Sequence, residues 1–165
     1  MKPGVAAAVC AVMVGLVPAA GCASDPLPVA STTNIDLSDP EQVIANALAT
    51  MFTWNPTGDA SPDAAYRRAS IYLSGDLAQQ ADKAAKPGPG SRWEQWRADG
   101  AEITAKVYFA ADETPPNADD VVHRVVGIVQ SATTQDNRLI DEIRHTAWVV
   151  ANKSNNGWRV TSIQF

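Results

Sequence analysis

The chain has 165 residues, with 13 lysines and arginines against 18 acids and two histidines, for a formal net charge of −5. That length supports one modest core, and the acidic balance excludes holding nucleic acid or an anionic lipid surface through overall charge. Both cysteines, Cys10 and Cys22, lie near the start, so the rest of the chain has neither a disulfide nor a thiolate ligand and must be stabilised by packing.

The first residues carry Lys2 and an apolar run over 5–17, which is too short to span a bilayer comfortably. It ends in small residues, as a cleaved secretory signal does. Ala20-Gly21-Cys22 resembles the lipobox of bacterial lipoproteins, with Ala19 where that family usually has leucine and an unusual Pro18 before it. By this resemblance residues 1–21 are a signal peptide, and Cys22 becomes the lipidated first residue, carrying a diacylglycerol anchor and acyl chains of the palmitate kind. A plain secretory signal and an uncleaved anchor are the alternatives. Cleavage removes one lysine and no acid, leaving 12 basic against 18 acidic residues and a net charge of −6. Two acyl chains suffice for stable attachment to a membrane.

Residues 22–37 are polar and proline-bearing and follow neither a helical nor a strand period, so they read as a flexible tether. The folded domain is expected over 38–165. Asp39 followed by Pro40 and Gln42 is a helix start, and Val43, Ile44, Ala47, Leu48, Met51 and Phe52 recur at three- and four-residue steps. A helix over 40–53 with one buried stripe follows from this spacing. The run 55–59 breaks it, and Ser61-Pro62-Asp63 starts a second helix with Tyr66, Ala69 and Leu73 facing inward. A third helix is expected over 76–84. Beyond the Pro- and Gly-rich loop at 86–90, a short helix over 92–97 sets Trp93 and Trp96 three residues apart.

The pattern then changes to strands. Residues 101–109 alternate, with Ile103, Ala105, Val107 and Phe109 on one face. Strands over 121–131, 140–152 and 158–165 follow, the last pair joined by an Asn156-Gly157 hairpin signal. Helices followed by a four-stranded meander define an α+β domain, with the helices on one face of an antiparallel sheet.

Phe52-Thr53-Trp54 ending the first helix, Tyr66-Arg67-Arg68-Ala69 in the second, Trp96 before Gly100-Ala101, the meander and the closing Gly157-Trp158-Arg159-Val160 resemble the cone-shaped NTF2-like superfamily. They are similar, more narrowly, to its actinobacterial envelope branch, which includes Mce-associated proteins and the VirB8/TcpC-like components of conjugative secretion machinery. Members of those two groups generally carry a transmembrane helix, where this chain has a lipobox-like signal. The resemblance implies an NTF2-like cone in which an aspartate, histidine or tyrosine can serve as an acid or base. The side chains of that kind are His123, His145, Asp141, Tyr66, Tyr72 and Tyr108.

His123 shares strand parity with Val121, Val125 and Val129, so it is a candidate cone base if that parity faces inward. His145 shares parity with Ile143, Ala147 and Val149; Asp141, four residues away, is roughly 13 Å distant along a strand and too far to pair with it. Trp93 and Trp96 read as a core plug or as a ligand platform. Arg67 and Arg68 read as a solvated flank or as a contact for an acidic partner. No histidine pair has metal-ligand spacing, Asp119-Asp120 reads as solvated loop charge, and no nucleophile elbow or phosphate loop occurs.

The expected function is therefore that of a non-enzymatic interaction or assembly module on the outer side of the cytoplasmic membrane, lipid-anchored and without cofactor, metal or nucleic acid. Conjugative or secretion machinery is the partner class implied by the resemblance. A small apolar ligand held in the cone, and catalysis by a cone histidine or tyrosine, are the alternatives. The candidate contact residues are Trp93, Trp96, His123 and Tyr66. The interaction reading expects a cone filled by side chains such as Phe109, Trp148 and Ile163, with Trp158 also in the core.

Overall fold

The computed structural model describes residues 36–83, 89–110 and 116–165; the signal, Cys22 and most of the tether lie outside them. All described residues belong to the unit Ile35–Phe165. Helix α1, Pro40–Phe52, starts where the sequence places it: the Asp39 carboxylate accepts from the backbone N–H of Glu41 at 2.8 Å and of Gln42 at 3.2 Å. These are two of the orphan donors of a first turn, and Pro40 has none to satisfy. Helix α2 is Asp63–Ala69, and the Ser61 hydroxyl accepts from the Asp63 N–H at 3.3 Å. A 3-10 turn at Ser70–Tyr72 separates it from α3, Gly75–Ala81; α4 is Ser91–Ala98. Among the described residues no helix is long and apolar enough to cross a membrane.

The strands are β1 Glu102–Phe109, β2 Val121–Thr133, β3 Leu139–Ser154 and β4 Gly157–Gln164, antiparallel in the order β1-β2-β3-β4. The fold is α+β, with a curved, unclosed sheet. Register shifts at Ala132/Thr133 and Val150/Ala151 mark bulges, which bend and twist a strand. Both edges are partly covered by connecting segments. Trp54 and Ile103 exchange N–H···O bonds of 2.9 and 3.0 Å beside β1, while the Ser74 N–H donates to the Val160 carbonyl at 2.9 Å beside β4.

One face of this sheet carries the core. Val43, Ile44, Ala47 and Leu48 of α1 are fully buried and join Val122, Val126, Ile128, Ala147, Val149, Ala151 and Val160 in one cluster. Trp158 and Ile163 pack with them, as expected. Leu37, read from the sequence as tether, also packs here, and its carbonyl accepts from the Trp158 N–H at 2.8 Å. Close approach of Leu37 explains a glycine at 157: a Cβ there would lie 2.7 Å from the Leu37 Cβ and carbonyl oxygen. The hairpin forms at the Asn-Gly signal and joins β3 to β4. Positive φ falls on Gly157 (93°) and on neither turn asparagine, as in a type I turn closed by a glycine bulge.

Strand parity places His123 and Trp148, and position in the sheet places Phe109. On β2 the even residues face the core, so His123 is exposed on the outer face. On β3 the odd residues face in, which puts Trp148 outside at 54% exposure instead of in the cone. Phe109 has inward parity, but it ends the edge strand, where no further strand flanks it, and it too is exposed.

The two strand tryptophans should therefore differ sharply in urea unfolding. Trp158→Ala is expected to cost about 3–5 kcal/mol, in the range of buried aromatic truncations. Trp148→Ala should stay within about 0.5 kcal/mol of the parent. Equal costs would contradict the parity assignment.

Candidate functional site

Thr53 leaves the helix in an extended conformation (φ −93°, ψ 115°), which turns the chain from α1 into the Trp54–Ile103 bridge. Phe52 and Trp54 are thereby brought over the inner face near the Gln130 end of β2. The last carbonyls of a helix have no partner within it, and here Gln130 supplies one: its Nε2 donates to the Phe52 carbonyl at 2.8 Å. Gln130 is 1% exposed, the one buried polar or charged side chain among the described residues. Its Oε1 lies 3.0 Å from His145 Nε2 on the neighbouring strand. A carbonyl can only accept, so the Phe52 contact orients the amide and leaves Oε1 toward the ring. His145 Nε2 must then carry a proton and donate it.

Aromatic rings continue outward from this pair. Phe52 lies 5.2 Å from the His145 ring and 5.8 Å from Phe165, which is itself 6.1 Å from His145. On the other side Phe52 meets Trp54 at 6.3 Å, and Trp54 meets both Trp93 and Trp96 at 5.9 Å. These are edge, tilted and, for Phe52 with Trp54, stacked contacts of the kind that favour aromatic pairs beyond their buried area. Half-buried and hydrogen-bonded, His145 thus joins the end of α1 to β2 and β3. Its strand is interior, between β2 and β4.

Trp93 and Trp96 are buried at 3% and 4% exposure, as a core plug is. The Trp93 indole N–H has no hydrogen-bond partner among the described residues, an arrangement that carries a desolvation cost. Tyr66 is half-buried; its hydroxyl donates to the Leu77 carbonyl at 2.9 Å, and burial raises it above its ordinary pKa of 10.0. Asp141 is 3.3 Å from Arg92 and not paired with His145. Those two charges flank a groove of about 390 Å³ between α4 and the start of β3, also lined by Gln95, Trp96 and Asp99.

Arg68 holds Asp59 in a two-pronged contact at 2.8 and 3.0 Å, and this hydrogen bonding is the main reason the carboxyl lies below its ordinary 3.8. Arg67 is exposed, as are Tyr108, Asp119 and Asp120. Among the described residues no group of three or more His, Cys, Asp and Glu side chains could hold a metal ion. Cys22 lies outside the described residues.

The sequence reading passed over Gln130 and its link to Phe52. One signal was available: Gln130 is the polar interruption in the parity Val126, Ile128, Ala132.

No protein-family profile matches the chain, and no curated protein does. Six chains of solved structures are similar to it, the following two among them. One is a periplasmic fragment of TraM, at 11% identity and a TM-score of 0.43, covering 74% of this chain and 91% of that one. The other is the intermembrane space region of the chloroplast protein ARC6, at 14% identity and a TM-score of 0.37, covering 76% of this chain and 95% of that one. Both are domains of compartments outside the cytoplasm or between membranes by their descriptions.

Replacing Gln130 by leucine keeps the volume and removes the amide, leaving the Phe52 carbonyl and His145 Nε2 without their partner. A loss of about 1–3 kcal/mol in chemical denaturation is expected, the cost of stranding buried polar groups. An unchanged midpoint would mean that water replaces the amide freely and that the region is open.

Proposed function

We propose that the chain is a non-enzymatic interaction module, tethered through Cys22 to the outer side of the cytoplasmic membrane and working in an envelope assembly. The observation that carries this reading is the state of the inner face. Its apolar residues are buried against α1, and its polar pair, Gln130 and His145, is hydrogen-bonded into the end of that helix. An acid–base site needs an ionisable group within reach of a bound substrate. Here the inward histidine has a structural partner at the nitrogen facing the sheet.

The sheet's other face carries exposed aromatics, the residue types that dominate protein contacts. The segment 5–22 supports export and lipidation in the way described above. Conjugative secretion machinery is the partner class implied by the family resemblance, and the NTF2-like cone is the fold family it implies.

Two measurements test the reading. The Cys22→Ser chain should leave the membrane fraction with its unfolding temperature unchanged; retention would mean an uncleaved anchor. In native electrophoresis of detergent-solubilised membranes, the wild-type chain should migrate in an assembly well above its own mass. Migration at the monomer position would contradict the module reading.

A further inference from the structure

The turn from β3 to β4 runs through Ser154, Asn155, Asn156 and Gly157, and both asparagines are exposed. Asparagine is thermolabile because its side-chain amide carbon lies within reach of the next backbone nitrogen. A glycine after it has no Cβ and leaves that nitrogen unshielded. Asn155 lacks this arrangement, since Asn156 follows it.

The fold demands the vulnerable pairing. Gly157 has a φ of 93°, and a Cβ on it would lie 2.7 Å from both the Cβ and the carbonyl oxygen of Leu37. Backbone conformation and contact together exclude a side chain there, so the nitrogen after Asn156 stays open. Arg159 bears on its reactivity: its Nη1 donates to the Asn156 carbonyl at 3.0 Å and is steadied by the Trp158 carbonyl at 2.8 Å. The Asn156 carbonyl and the Gly157 nitrogen belong to one peptide group. A cation at that oxygen stabilises the negative charge that develops when the N–H gives up its proton.

The turn also holds a distant part of the chain. The Trp158 N–H donates to the Leu37 carbonyl at 2.8 Å, and Leu37 packs beside Trp158 on the core. Leu37 lies just ahead of α1, so this contact fastens the chain before the helix to the hairpin.

We infer that Asn156 is a site of spontaneous deamidation by the Gly157 nitrogen, and that its isoaspartate product releases Leu37 from the hairpin. In the first step the Gly157 nitrogen loses its proton and bonds to Asn156 Cγ. The Cγ–Nδ2 bond breaks, and ammonia leaves with that proton. Water then opens the resulting succinimide ring: breaking the bond from Cγ to nitrogen gives aspartate, and breaking the backbone carbonyl bond to nitrogen gives isoaspartate. Nothing is oxidised or reduced. Both products add a negative charge, but only isoaspartate inserts a methylene into the main chain, next to a glycine whose contact with Leu37 leaves no room for an added atom. The inference goes beyond the module reading and stands independently of it.

The test ages the full chain in detergent in mildly alkaline buffer, with trypsin releasing the peptide Ser154–Arg159 for mass spectrometry. Asn156 should convert from amide to acid, with isoaspartate among the products, while Asn155 stays intact. Asn156→Gln should abolish the conversion. Arg159→Met keeps the stem, removes the charge and should slow conversion about fivefold, the rate equivalent of one hydrogen bond, with the unfolding temperature unchanged. Hydrogen exchange at the Trp158 amide should be slow in the fresh chain and in Asn156→Asp, and fast in the isoaspartate form.

An intact Asn156 in the folded chain, under conditions where the free peptide Ser154–Arg159 converts, would overturn the site, since the turn would then protect it. Equal conversion at Asn155 and Asn156 would overturn it as well. A Trp158 amide that stays protected in the isoaspartate form would overturn the release of Leu37.

Discussion

Helix α1 and the paired strands β2 and β3 depend on each other, and the other elements are arranged around that dependence. A helix of 13 residues is marginal in water by itself, and a four-stranded sheet with one bare apolar face would expose a patch that soluble domains avoid. Seating Val43, Ile44, Ala47 and Leu48 on Val126, Ile128, Ala147 and Val149 removes both problems at once. It also fixes register, because a one-residue slip of β2 would turn Val126 and Ile128 outward. Gln130 adds direction to this non-directional packing: its amide ties the last turn of α1 to the sheet at one place.

The same packing decides where the protein can meet other molecules. Side chains that might have lined a cavity hold the helix down instead, and the tryptophans of α4 close the far end around Trp54. On the outer face the strand parity leaves Tyr108 and Trp148 in solvent. Structure and surface are thus divided by the pleat: odd residues of β3 build the core, and even ones face outward.

Much of the fold was legible because the local signals agreed with one another. The Asp39-Pro40 start, the stripe of α1 and the alternation in 101–109 each point to one element, and all of them form. Face assignment in the long strands was harder to read. In β2, residues Val125 and Val126 are both buried, so apolar content alone does not name the inner face; the face of His123 stayed open, and Trp148 of β3 was read with the wrong one. The Gly157 turn was legible as a hairpin, whereas the close approach of Leu37, far away in sequence, was not. The bond between Gln130 and Phe52 joins residues 78 positions apart, and no local pattern encodes such a pairing.

The central claim is that the space between α1 and the sheet is filled. Methyl NMR of the isoleucine, leucine and valine side chains under xenon pressure tests it most directly, because xenon enters apolar voids that water leaves empty. Filled packing predicts that the methyl signals of Ile44, Leu48, Val126 and Ile128 do not move with xenon. Saturable shifts confined to those methyls would reveal an open apolar interior, contradict the claim, and return the search for function to the inside of the sheet.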